Sequence, residues 1–162
     1  MKGGAIPSQF IPAVEKGVQQ VLESGAIAGY PMQDVRVVVY DGKTHPVDGK
    51  EVAFITAGKK AFLDAVMKAR PIVLEPIVHI EVTVPEANLG DVTGDISSKR
   101  GQVTGTQPVR GGMVTVAGLV PLSELNNYQS RLKSLTGGAG SYSVEFSHYE
   151  PCLLYTSPAH ET

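Results

Sequence analysis

Few residues in this chain have the types and spacing that chemistry needs. Gly42-Lys43-Thr44 ends like a phosphate-binding loop, where backbone amides cradle phosphates and a lysine reaches them. The full motif needs a glycine five residues before Gly42, and that position is Val37. A helix start should also follow at Thr44, but a polar loop runs on instead, so the motif fails. The four histidines are His45, His79, His148 and His160. None stands at a dependable helical or hairpin metal spacing from Cys, Asp or Glu. His79 and Glu81 share a strand face, ordinarily a solvated sheet surface. No serine sits in a nucleophile elbow, and the single Cys152 has no local partner. Asp91 and Asp95 could share a helix face as paired carboxylates, though such pairs are more often exposed. The residues therefore suggest neither a catalytic centre nor a metal or cofactor site.

Two places suit contact with a nucleic acid. His45 lies in the loop Asp41-Gly42-Lys43-Thr44-His45-Pro46-Val47, beside a cation and a rigid proline. A loop histidine is ordinarily just solvated. The functional alternative is a stiff tip that offers a polar, stackable ring to RNA. Lys99 and Arg100, with Arg110 further on, form a local basic cluster. Alone it matches a helix C-terminal dipole, and with an RNA partner it would contact phosphates.

The elements that must hold these residues follow from periodicity. Phe10, Ile11, Val14, Val18, Val21 and Leu22 recur at helical spacing, with Pro12 in the first turn and Gly25 as the stop. Asp34–Tyr40 reads as a strand. Asp48 and Glu51 are spaced as a capping box for a helix with the stripe Val52, Ile55, Phe62, Leu63, Val66 and Met67. That helix ends at or before Arg70, because Pro71 follows. Beyond Pro71, Val78, Ile80, Val82 and Val84 alternate with His79, Glu81 and Thr83 as a half-buried strand. Leu89, Val92 and Ile96 mark a short helix closed by Gly101. Gln102–Gln107 and Met113–Val120 read as two strands around a Pro108–Gly112 turn. Leu125, Tyr128, Leu132 and Leu135 form a helical stripe between Ser123 as N-cap and Gly137 as C-cap. Tyr142, Val144 and Phe146 alternate in a last strand. Strand, helix, strand, strand, helix, strand is the ferredoxin-like βαββαβ order, so the class is α+β.

The first 70 residues do not close a domain by this reading. One strand is not a sheet, so strands are expected upstream. Residues 1–70 should accordingly be marginally stable.

Composition narrows the field further. A net charge of −2 excludes a histone-like or polybasic protein but leaves room for a local basic footprint. The chain has one cysteine, no apolar run of 18 residues and no apolar N-terminal stretch. A cytoplasmic monomer without a membrane span is expected. Residues 152–162 follow an abrupt Tyr149-Glu150-Pro151 and lack periodicity, so a non-native or frayed tail is expected.

Taken in order, the motifs resemble the C-terminal part of the bacterial elongation factor G family of ribosomal translocase GTPases. They are Gly3-Gly4-Ala5-Ile6-Pro7, Phe10-Ile11-Pro12-Ala13-Val14-Glu15-Lys16-Gly17, Tyr40-Asp41-Gly42 with His45, and Leu74-Glu75-Pro76-Ile77. Gly90-Asp91-Val92-Thr93-Gly94-Asp95 with Lys99-Arg100-Gly101, Val120-Pro121-Leu122-Ser123-Glu124-Leu125 and Leu132-Lys133-Ser134-Leu135-Thr136 continue the series. Gly140-Ser141-Tyr142 and Glu145-Phe146 with His148-Tyr149 end it. The resemblance implies that residues 1–70 are the later part of domain IV, an incomplete unit like the second domain of ribosomal protein S5. Residues 71–151 would be the ferredoxin-like domain V.

It further implies a ribosome-binding piece acting in translocation or ribosome recycling. His45, assisted by Lys43, would reach RNA at the small-subunit decoding centre. Lys99 and Arg100 would touch phosphates near the GTPase-associated region of the large subunit. The piece itself would not be an enzyme. GTP and Mg would belong to a GTPase domain upstream. His45-Pro46-Val47-Asp48, Phe62-Leu63-Asp64-Ala65-Val66 and Ser147-His148-Tyr149-Glu150-Pro151 resemble the elongation factor G-like paralogues more than the main translocase. A ferredoxin-like domain that binds a small regulatory molecule is the alternative for the second half.

Overall fold

A computed structural model describes residues 6–44 and 50–153. Two units emerge, dividing at Val73/Leu74.

The first unit is built on two helices, α1 (Ile11–Ser24) and α2 (Glu51–Lys68). A single turn at Ser8–Phe10 leads into α1, Pro12 lies in its first turn, and Gly25 caps it at φ 81°. The expected α2 stripe holds at Phe62 and Val66 and is corrected at Val52, Leu63 and Met67. Phe54, Gly58, Phe62 and Val66 face inward, while Val52 is 71% and Met67 46% exposed. The reason lies in the partner helix. Gly17 and Gly58 bring the two backbones together, and a Cβ on Gly58 would sit 2.7 Å from the Val14 carbonyl oxygen. Close approach at the glycines turns the Gly58 side of α2, with Phe54, Phe62 and Val66, toward α1. Phe10 stacks on Phe54 with ring centroids 4.3 Å apart. Val18, Val21, Phe62 and Val66 make a second cluster.

The expected strand at Asp34–Tyr40 does not form. The segment carries no ladder among the described residues, Asp34 has φ 56°, and Val38 is 64% exposed. An extended run becomes a strand only when another strand pairs with its amides and carbonyls. The proposed Asp48 cap lies outside the described residues. Lys50 flanks the start of α2, and Glu51 lies in its first turn, where a carboxylate favours the dipole.

The second unit follows the βαββαβ order: β1 (Leu74–Pro85), α3 (Leu89–Ser98), β2 (Gln102–Val109), β3 (Met113–Pro121), α4 (Tyr128–Thr136) and β4 (Ser141–Pro151). The sheet order is β2-β3-β1-β4 and all pairings are antiparallel. This is the ferredoxin-like arrangement. Ile80, Val82 and Val84 point from β1 into a core with Val92, Ile96, Val116, Val120, Tyr128 and Leu132, and Val78 is buried as well. The Tyr128 and Tyr142 rings meet nearly at right angles, with centroids 5.0 Å apart.

Two expected boundaries shift. Ser123 does not cap α4, because Leu122–Leu125 makes a tight turn first. The helix starts after Asn127, which adopts a left-handed φ of 58° that asparagine tolerates well. At the end of α3 it is Arg100, not Gly101, that turns left-handed, at φ 56°. Gly101 is needed for room, since a Cβ there would lie 2.7 Å from the Ile96 oxygen.

Candidate nucleic-acid interface

The sequence-selected residues fall on two different platforms. Lys43 is exposed, in irregular chain following Asp41-Gly42. Asp41 Oδ1 accepts the Gly42 amide at 2.8 Å, and Gly42 itself lies against the Ile6 side chain. This pins the chain just before Lys43. His45, the proposed tip residue, lies outside the described residues.

Lys99 and Arg100 are neighbours that face different partners. Arg100 Nη1 and Nη2 donate to the two Glu75 carboxylate oxygens at 2.7 and 3.0 Å. Its Nε donates to Glu124 Oε1 at 2.9 Å. The left-handed backbone at Arg100 aims the side chain at β1 and the Leu122–Leu125 turn. Three of its five guanidinium hydrogens are thus engaged, which leaves two for an outside acceptor. The Arg100 hydrogen bonds hold the buried Glu75 carboxyl below its usual range, against the opposing effect of burial. Glu75 and Glu124 in turn hold the guanidinium more firmly protonated.

Lys99 Nζ lies 4.0 Å from Asp95 Oδ1, and Arg131 Nε donates to the same oxygen at 2.9 Å. Asp95 is not an exposed partner of Asp91, as the helical spacing alone suggested. Its side chain is 2% exposed, whereas Asp91 faces solvent. Burial, aided by the Asp95 charge, pushes the neighbouring Tyr128 phenol up to about 12. Sequence reading missed Arg131 because its partner lies 36 positions away. The only available signal was its place directly before Leu132 in the α4 stripe.

Among the described residues the other chemistry-bearing groups lie apart from one another. His148 accepts or donates between Ser147 Oγ (2.8 Å) and Glu150 Oε1 (2.7 Å), all on the outer strand β4. Ser147 is the extra residue where the β1–β4 register shifts. No group of three or more His, Cys, Asp or Glu among the described residues could hold a metal. Cys152 is a free, half-buried thiol near Glu75. Among the described residues no helix is long and apolar enough to cross a membrane.

Comparison with known proteins then assigns the two platforms. Residues 1–70 match the family model for elongation factor G, domain IV. Residues 72–157 match that for the elongation factor G C-terminus. The chain belongs to the elongation factor G family. An elongation factor G from Aquifex pyrophilus is 48% identical over 148 residues, covering 91% of this chain and 21% of its own length. A crystal structure of a Thermus thermophilus protein superposes with a TM-score of 0.75 at 38% identity, covering 94% of this chain and 23% of that one. The chain thus spans about a fifth of the relative and of the solved structure. The family match places Lys43 and His45 in the domain IV part, and Lys99, Arg100 and Arg131 in the C-terminal part.

Proposed function

We propose that this chain is the ribosome-contacting end of a translation elongation factor of the elongation factor G type. The observation that carries the reading is the pair of successive matches, domain IV over residues 1–70 and the C-terminal domain over residues 72–157. In this reading Lys43 and His45 meet RNA at the small-subunit decoding centre. Lys99 meets phosphate near the GTPase-associated region of the large subunit. Arg100 uses its two remaining hydrogens there while its other three brace Glu75 and Glu124. These residues bind and position, and bond breaking falls to a GTPase domain of the whole protein, with GTP and Mg held there. Translocation or ribosome recycling is the step served. The chain works in the cytoplasm as a monomer.

The test is co-sedimentation of the chain with ribosomes, followed by His45→Ala in the whole protein. Loss of single-round translocation or recycling is expected. Unchanged rates in both assays would refute the tip assignment. The small-molecule alternative would use an open groove of about 370 Å³ at one end of the sheet, lined by Glu75, Ile77, Arg100, Leu119 and Glu150 among others. A thermal shift with a metabolite panel, in a chain that ignores ribosomes, would move the reading there.

A further inference from the structure

The second unit is an unpromising partner for RNA by charge alone. Residues 74–155 hold five Lys and Arg against eight Asp and Glu. Any phosphate contact there must be local and built. Of the five cations, Arg100 is largely committed to Glu75 and Glu124. Lys99 and Arg131 differ, because both converge on one buried carboxylate oxygen from separate helices.

We infer that Lys99 and Arg131 form a two-cation clamp for a phosphate of the RNA backbone, oriented from below by Asp95. The geometry favours this. Arg131 is anchored through Nε alone, at 2.9 Å, so both Nη groups remain to present paired hydrogens to an acceptor. Its side chain is 54% exposed although the anchoring Asp95 is 2% exposed. A buried carboxylate therefore fixes the direction of an exposed fork. Fixing the side chain in advance reduces the ordering cost of binding. Lys99, 21% exposed, supplies a second charge on the same oxygen. The far oxygen of Asp95 has no hydrogen-bond partner among the described protein groups. Its charge is thus answered by these two cations, which ties their positions together. Asp91, exposed one helical turn away, sets an opposing charge beside the clamp.

The inference relies on the ribosomal reading only for the source of the phosphate. Its test uses the full chain, with isolated large ribosomal subunits as one probe and inorganic phosphate as the other. Arg131→Gln is expected to weaken subunit binding about five- to tenfold at low salt and to lower the salt slope by about one. Arg131→Lys should restore the slope but not the affinity, because a lysine lacks the anchored fork. In the intact chain the Arg131 Nε–H resonance should be protected from exchange and should shift with inorganic phosphate. Asp95→Asn should abolish that protection, a readout that mere loss of stability in a still-folded chain would not mimic. If Asp95→Asn fails to fold, the two Arg131 variants still decide. Unchanged subunit affinity, salt slope and phosphate shifts in Arg131→Gln would overturn the clamp. A chain that ignores subunits but shows phosphate shifts lost in Arg131→Gln would keep the clamp and refute the ribosomal source. A chain that responds to neither probe would overturn both.

Discussion

The two units of this chain bury apolar side chains to different depths. In the second, Ile80, Val82, Val84, Val92, Val116, Val120 and Leu132 are wholly sealed between a four-stranded sheet and two helices. In the first, the best-buried residues, Ala13 and Val21, keep 4% exposure, and Val35, Val37, Val38 and Tyr40 stay open. Both units have amphipathic helices, so helix quality is not what separates them. The difference is a second layer. Helix pairs seal only the stripe between them, whereas a sheet covers a whole face and satisfies its backbone at the same time. The first unit has the valines of a strand but no described strand to pair them with.

The strongest way to break this comparison is core truncation. Ile80→Ala should cost the second unit about 2–5 kcal/mol, measured by urea unfolding. Phe62→Ala should shift the first unit less, because Phe62 begins at 7% exposure in a cluster that can relax. Equal losses would contradict the layered explanation. Amide exchange offers a companion test: β1 and β3 should exchange far more slowly than α1 and α2.

Next comes the ion-pair brace. Arg100→Met strands the buried Glu75 and should cost about 2–3 kcal/mol. Its pH dependence sharpens the point. In the folded chain Glu75 titrates below its ordinary 4.5, so the folded state holds fewer protons than the unfolded one. The brace is therefore fully present above that ordinary value and is lost as pH falls through the folded value. Acid unfolding of the second unit should steepen in this window, and Arg100→Met should flatten it.

A smaller effect separates two glycines. Gly58→Ala pushes a methyl against the Val14 backbone and should cost the first unit about 1–3 kcal/mol. Gly94→Ala, in α3 with nothing within 4 Å, should stabilise the second unit by about 0.5–1 kcal/mol. Thermal melts of the two variants should move in opposite directions.

Much of the second unit was legible in its residues. The alternation from Val78 to Val84 and the 3–4 stepping of Val92 and Ile96 are local patterns, and their order suffices for the ferredoxin-like class. The Lys43–His45 and Lys99–Arg100 segments were also visible, as charged or stackable groups at loops and helix ends. The face of α2 was legible only in part: Phe62 and Val66 belonged to the expected stripe and are buried, but Val52, Leu63 and Met67 suit helical spacing as well as Phe54 does. Only the close approach of Gly17 to α2 chose between them. The strand at residues 34–40 failed for the same kind of reason: extended propensity is local, but pairing is not.

The interface divides along that line too. Local sequence was enough to show which side chains carry charge and which helices and strands of the second unit hold them, because those depend on neighbours a few residues away. Tertiary structure alone decided that Arg100 braces Glu75 and Glu124, and that Asp95 is buried and gathers Lys99 and Arg131. Those contacts join residues 24 to 36 positions apart, apart from the single turn between Asp95 and Lys99. Whether a carboxylate is sealed from water, and which cation then answers it, depends on how α3, α4 and the sheet pack together.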